Sequence, residues 1–202
     1  ALKKALRKDT LMVSIMCVNN EIGAIEPVEE IGKIVKSFDP KILFQTDCIQ
    51  AYGKLNCYPK KWKADMISVS GHKIHGPEGI GFIYIKNGTK IKPIIWGGNQ
   101  QKGMRSGTEN VPGIAGLGKA AELIYENHEE KIAHIREIKD HFIKRVMEEI
   151  PDVKDNSGDA PHVASISFLG VRSEVLLHAL EEREIYVSAG SACSSNKPQI
   201  SH

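Results

Sequence analysis

The feature that most constrains this chain is a succession of short apolar runs alternating with one helical period in its first half. "LMVSIMCV" (11–18), "KILFQTD" (41–47), "DMISVS" (65–70) and "GFIYIK" (81–86) are strand-length runs rich in β-branched and apolar residues. Between the first two lies "PVEEIGKIVKSF" (27–38), opened by a proline, with Val28, Ile31, Ile34, Val35 and Phe38 at helical spacing. Strand, crossover helix and strand make an α/β sheet with a mainly parallel core. The tight GHKIHGPEG turn before the last run allows one antiparallel strand.

The second half changes period. From about residue 114 to 150 the spacing is helical, with Ile132, Ile135, Ile138, Phe142 and Val146 on one stripe, which predicts one long helix or two in succession. "HVASISFLG" (162–170) alternates as a strand does, "SEVLLHALEERE" (173–184) reads as a helix with a serine cap, and "IYVSAG" (185–190) as a short strand. The expected organisation is an α/β domain over 1–130 followed by a small α+β domain over 131–202.

Composition narrows the function classes. At 202 residues, 41% hydrophobic and 26% charged, the chain can bury a real core, and a formal net charge of +2 gives no electrostatic footprint for nucleic acid. No run reaches the roughly 18 apolar residues of a membrane span, and the basic opening "ALKKALRKDT" has no apolar core behind it, so a cytoplasmic location is expected. Cys17, Cys48, Cys57 and Cys193 are widely spaced, without a CxxC or CxxH pair, and the first three read as buried reduced thiols. Cys193 differs: "SAGSACSSN" is a run of tiny polar residues that reads as a loop, where a thiol can react.

The chemistry centres on "SVSGHKIHGPEGIG" (68–81). Lys73 is followed by Ile74, and its glycines fall on the wrong side for a phosphate-binding loop of the GxxxxGK[ST] type. His72 and His75 would have to share a helix face to bind a metal, which Ser70, Gly71, Gly76 and Pro77 oppose. A lysine that forms a Schiff base fits better, beside a hydroxyl and an imidazole able to hold an anion. A pyridoxal phosphate ring acts as an electron sink when a carboxylate keeps its nitrogen protonated. Asp47, at the end of an apolar strand, suits that part; a turn or cap residue is the plainer reading of it.

Five blocks carry a resemblance: "VNNEIGAIEPVEEIGKI", "TDCIQAYGKL", "SVSGHKIHGPEGIGFIYI", "GMRSGTENVPGIAGLGKA" and "VSAGSACSS". In order and spacing they resemble the cysteine desulfurases of the NifS/IscS type, in the class V branch of fold type I pyridoxal phosphate enzymes. The resemblance implies the large-domain sheet of that fold followed by part of its small C-terminal domain. It implies Lys73 as the Schiff-base lysine and Asp47 as the aspartate on the pyridine nitrogen. Gln50 and Asn20 match residues near the cofactor's phenolic oxygen, and Ser70 and His72 match phosphate ligands. Thr108 matches a threonine reaching the phosphate of a neighbouring subunit, which implies a homodimer. Cys193 matches the nucleophile that takes sulfur from L-cysteine, leaving L-alanine and a persulfide for a sulfur-acceptor protein of iron–sulfur cluster assembly or tRNA thiolation.

Four departures stand beside these agreements. Gln45 replaces a histidine common before the cofactor aspartate, and Cys48 replaces an alanine. No counterpart is found for the family's N-terminal segment, and the chain ends at "KPQISH", before the arginine that holds the substrate carboxylate. The expectation is a C-terminal portion of a desulfurase, with a non-catalytic dimerisation or acceptor-binding module, or a selenocysteine lyase-like activity, as alternatives.

Overall fold

The computed structural model describes residues 1–190. The chain forms two compact units, Ala1–Val18 with Glu26–His128, and Asn19–Ile25 with the chain from Glu129 onward.

In the first unit a single turn, α1 (Leu2–Ala5), precedes a four-stranded sheet of order β1-β2-β3-β4: β1 (Met12–Met16), β2 (Leu43–Asp47), β3 (Met66–Ser70) and β4 (Gly81–Ile85). The first three strands are parallel and β4 is antiparallel to β3. The chemistry of the links explains the difference. Residues 71–80 are too few to return the chain to the starting edge of the sheet, so β3 and β4 form a hairpin, with Ser70 opposite Gly81. Between β1 and β2 runs the crossover helix α2 (Val28–Phe38), with Pro27 at its N-cap position. Residues 48–65, which join β2 to β3, hold turns rather than a helix.

The register sorts the side chains. Met16 pairs with Asp47, and Asp47 with Ser68, so alternate residues put Ser14, Gln45, Asp47 and Ser68 on one face. There Ser14 Oγ donates to Gln45 Oε1, and Gln45 Nε2 donates to Ser68 Oγ at 3.1 Å. The opposite face carries Val13, Phe44, Thr46, Ile67 and Val69, all buried. Helix α2 contributes Val28, Ile31, Gly32 and Val35 to the core, while Phe38 is 47% exposed. Gly32 is required by the close approach: a Cβ there would lie 1.9 Å from the Trp62 carbonyl oxygen and 3.1 Å from the Phe44 ring.

A buried carboxylate ties helix to sheet. Asp65 Oδ2 accepts the amide of Phe44 at 2.8 Å and a hydrogen bond from the Lys36 ammonium, which also donates to the Ile42 carbonyl at 2.7 Å. Helix α3 (Val111–Tyr125) then packs on the far end of the sheet's hairpin link. Its Leu117 and Ala120 enclose Ile74, with Tyr52, Ile80 and Ile124 around them.

The expected helical stretch is two helices. α3 ends at Tyr125, Asn127 takes a left-handed φ of 50°, and α4 (His128–Glu149) begins at once. The predicted apolar stripe of α4 is not its buried face: Ile138 and Phe142 are 56% and 47% exposed. The buried residue is Lys139, one step round the helix, because its ammonium donates to the carbonyls of Gly158 (2.6 Å) and Ala160 (2.8 Å). Arg136 adds a bond to the Asp159 carbonyl at 3.0 Å. Polar satisfaction of an irregular loop thus sets the rotation of this helix.

The rest of the second unit is a two-stranded antiparallel ladder, β5 (Val153–Asp155) with β6 (Ile166–Phe168), and α5 (Ser173–Glu181). The strand expected over 162–170 is confined to its centre, and β5 was not foreseen. Ser173 is the first helical residue of α5; Arg172 occupies the cap position and makes no side-chain capping bond. Residues 185–190 pair with no strand among the described residues. The segment Asn19–Ile25 is bound into this unit through Gly158 N to Ile22 O (2.6 Å) and Ala160 N to Gly23 O (2.9 Å).

Replacing Asp65 by Ala leaves the partly buried Lys36 ammonium without its counter-charge and the buried Phe44 amide without its acceptor. A loss of about 3 kcal/mol is expected, from the cost of breaking a buried pair on one side. Urea unfolding followed by circular dichroism measures it, and an unchanged midpoint would contradict the assignment.

Candidate active site

The carboxyl ends of β2 and β3 collect the reactive side chains of the first unit. Asp47 is the last residue of β2, and its main chain stays in the ladder, with the Cys17 amide donating to its carbonyl at 2.8 Å. Its Oδ1 accepts the Ile49 amide at 2.8 Å, an Asx turn that reverses the chain and fixes the carboxylate's direction. The plainer reading of Asp47 as a turn residue is therefore part of the answer, and it leaves a half-buried carboxylate at a strand end. Gln50 lies half-buried on the same turn.

Ser70 closes β3 and passes the chain into a 3-10 turn, Gly71–Ile74. Gly71 and Ile74 face inward, so His72 and Lys73 are exposed. His75 is left-handed at φ 61°, and the His75 and Gly76 amides both return to the Gly71 carbonyl. This one-turn cage, seated on α3 by Ile74, presents Lys73. Ser70 Oγ lies 3.1 Å from His72 Nδ1, which couples a hydroxyl and an imidazole at the strand end.

Lys54 was not singled out from the sequence. Its ammonium donates to the carbonyl oxygen of Lys73, and burial, with the Lys73 charge adding to it, pushes its pKa down to about 8. Nothing in the run "AYGKL" distinguishes this lysine from a surface one, since its partner lies 19 residues away in sequence.

The other expected positions lie elsewhere along the chain. Thr108 is exposed, on a loop fixed by its buried neighbour Ser106, whose Oγ donates to the Ile95 carbonyl at 3.1 Å. Asn20 belongs to the second unit and is exposed; the organiser of its turn is Asn19, whose side-chain oxygen accepts the amides of Glu21 (2.9 Å) and Ile22 (3.0 Å). Cys193 lies outside the described residues. Of the remaining thiols, Cys17 and Cys48 are buried and Cys57 half-buried, all unbridged. Cys48 donates to Cys17, which pushes the Cys48 thiol up and the Cys17 thiol down.

A carboxylate held by a backbone amide, a hydroxyl–imidazole pair and an exposed primary amine, on two neighbouring strand ends, is a donor set that fits pyridoxal 5'-phosphate. The carboxylate suits a ring nitrogen, the hydroxyl and imidazole a phosphate, and the amine the aldehyde carbon.

Comparison with known proteins agrees. The family model Aminotransferase class-V matches residues 1–202. The chain is 46% identical over 204 residues to Cysteine desulfurase IscS of Dictyoglomus turgidum, covering 100% of this chain and 51% of that protein. Against Cysteine desulfurase IscS of Methanosarcina thermophila the identity is 42%, with 100% and 50% covered. The chain thus spans about half the length of the curated relatives it matches. Among solved structures a NifS-like protein superposes with a TM-score of 0.88 at 38% identity, over 93% of this chain and 52% of that one. A structure titled SspA in complex with cysteine gives 0.78 at 32% identity, over 99% and 55%. The mixed, mostly parallel sheet is that of the NifS-like fold type I proteins, whose cofactor is pyridoxal phosphate, and with the family model matched from end to end the chain belongs to the class-V aminotransferases.

Proposed function

We propose that this chain serves a pyridoxal phosphate-dependent cysteine desulfurase, converting L-cysteine to L-alanine and retaining the sulfur as a persulfide on Cys193. The observation that carries the reading is the placement of Asp47 and Lys73 on neighbouring strand ends, with the Ser70–His72 pair between sheet and lysine. The names of the relatives and the cysteine bound by SspA support the substrate.

The bound cofactor supplies an electron sink for the substrate's α-carbon. Each residue then has a task set by its chemistry. Lys73 anchors the cofactor through its amine and, once substrate displaces it, carries a proton to and from substrate carbon. Asp47, oriented by the Ile49 amide, holds the proton on the ring nitrogen. Ser70 and His72 bind the phosphate, and Gln50 and Asn20 serve the phenolic oxygen. The Cys193 thiolate attacks the substrate sulfur; the new S–S bond forms as the C–S bond breaks, its electron pair passes to the substrate carbon, and protonation there yields alanine.

A division at about residue 130 would place most of the cofactor-binding residues before it and the nucleophile after it, with Asn20 belonging to the second unit. Thr108, exposed on its loop, would serve the phosphate of a second subunit in a homodimer. Large exposed apolar side chains, among them Ile94 (93%), Leu11 (84%) and Trp96 (75%), favour contacts with such a subunit or with a sulfur acceptor. A cytoplasmic donor of sulfur to iron–sulfur cluster assembly or tRNA thiolation is the role this implies.

With pyridoxal phosphate and L-cysteine, Lys73→Ala should form no alanine. Cys193→Ser should still bind cofactor but should neither release sulfide nor gain a sulfur atom on the peptide carrying residue 193, as read by mass spectrometry. Turnover retained in Cys193→Ser would remove that residue from the reaction. In Asp47→Asn, which has no charge to hold the ring proton, alanine formation should fall on the order of 10²-fold or more; an unaltered rate would exclude its role.

A further inference from the structure

The segment from Asn19 to Ile25, which carries Asn20, is closed on itself by short-range bonds. Asn19 Oδ1 accepts the amides of Glu21 (2.9 Å) and Ile22 (3.0 Å), the Gly23 amide returns to the Asn19 carbonyl at 3.0 Å, and the Asn19 amide donates to the Ala24 carbonyl at 2.8 Å. These bonds give the turn its shape. What holds it against the rest of its unit is the run 158–160. The Gly158 amide donates to the Ile22 carbonyl at 2.6 Å and the Ala160 amide to the Gly23 carbonyl at 2.9 Å. The two backbones touch: a Cβ on Gly158 would lie 2.5 Å from Ala24 Cα.

The run that makes these bonds belongs to no helix or strand and is held in turn by α4. Lys139 Nζ donates to the carbonyls of Gly158 (2.6 Å) and Ala160 (2.8 Å), and the exposed Arg136 donates to the Asp159 carbonyl between them at 3.0 Å. Three successive residues therefore turn two amides toward the segment of Asn20 and three carbonyls toward one helix. An ammonium, with three donors on a flexible stem, can meet two carbonyls at once. An apolar side chain at 139 would leave both without that donor, beside the buried Ala160.

We propose that Lys139 is a positioning residue for Asn20: through the main chain of 158–160 it fixes the segment from which Asn20 serves the cofactor's phenolic oxygen. This rests on the reading of Asn20 as a ligand of that oxygen. Lys139 acts at one remove, since its bonds end on the Gly158 and Ala160 carbonyls and the same two residues pass the restraint on through their amides. Both of its bonds are charge-assisted, which makes it a stronger tie than a neutral donor would be.

The first arm of the test needs no cofactor. Hydrogen exchange read by peptide mass spectrometry compares the full chain with Lys139→Met and Lys139→Arg. In Lys139→Met, peptides over 19–25 and 157–163 should exchange roughly tenfold faster while those over β1, β2 and β3 keep the parent rate, a local opening rather than a global one. Lys139→Arg, which keeps the charge and the donors, should restore protection. Exchange over 19–25 within twofold of the parent in a folded Lys139→Met overturns the proposal, as does faster exchange spread evenly over the chain. Should Lys139→Met fail to fold by circular dichroism, Lys139→Gln, which keeps a donor without the charge, decides. The second arm titrates the visible cofactor band with pH after addition of pyridoxal phosphate. A donor on the phenolic oxygen favours its anionic form, so Asn20→Ala should raise the midpoint by roughly half to one pH unit, the worth of one hydrogen bond. Lys139→Met should raise it too, and the double variant no further than Asn20→Ala alone, because residues acting in series do not add. Additive shifts, or an Asn20→Ala midpoint equal to the parent's, would overturn the positioning role. Failure of the parent chain to bind the cofactor counts against the functional reading and leaves the exchange rates to judge Lys139.

Discussion

The parallel register of β1, β2 and β3 is the constraint on which the rest depends. Because Met16 pairs with Asp47 and Asp47 with Ser68, the three strands end at the same edge of the sheet. A slip of one residue would turn Asp47 and Ser68 to the face that now holds Phe44 and Val69, burying a carboxylate among apolar side chains. The register is itself held by that face, where Phe44 is fully buried and Gly32 lets α2 approach to within contact of the Trp62 carbonyl. Core packing on one face thus decides where the chemistry of the other emerges.

Three lysines share a second device. Lys36, Lys54 and Lys139 each lay a partly buried stem along the protein and spend the ammonium on main-chain carbonyls that no strand or helix satisfies. Lys36 has in addition the Asp65 carboxylate, which makes it an anchor between helix and sheet. Lys139 stabilises the irregular run from 158 to 160 in the second unit. Lys54 differs in that its acceptor is the residue proposed to react, and its pKa is driven down to about 8 rather than balanced by a carboxylate. The same residue type therefore acts as a structural tie in two places and as a neighbour to chemistry in the third.

Much of the fold was legible because it rests on local period. The strand runs, the proline-opened helix and the hairpin after GHKIHGPEG all follow from spacing and from the shortness of a link. At the site, the strand-end position of Asp47 was legible for the same reason, whereas the single 3-10 turn that carries His72 and Lys73 was not. What sequence did not reveal depends on partners far along the chain. Lys139 and not Ile138 is the buried residue of α4, because carbonyls near residue 159 had to be met. Lys54 finds Lys73, and Asp65 finds the Phe44 amide, across turns whose course no periodicity predicts. Asn19 rather than Asn20 organises its turn, a distinction set by which side chain folds back on the next amides. The short run 185–190 carries strand-forming residues, but a strand needs a neighbour.

The central claim is that the strand ends bearing Asp47 and Lys73 form a pyridoxal phosphate site. It is tested most directly by titrating the purified chain with pyridoxal phosphate and recording its visible absorption, beside Lys73→Ala. A saturable visible band, distinct from that of the free cofactor and lost in Lys73→Ala, is the predicted result. No such band in the parent chain, or a band that survives in Lys73→Ala, would contradict it.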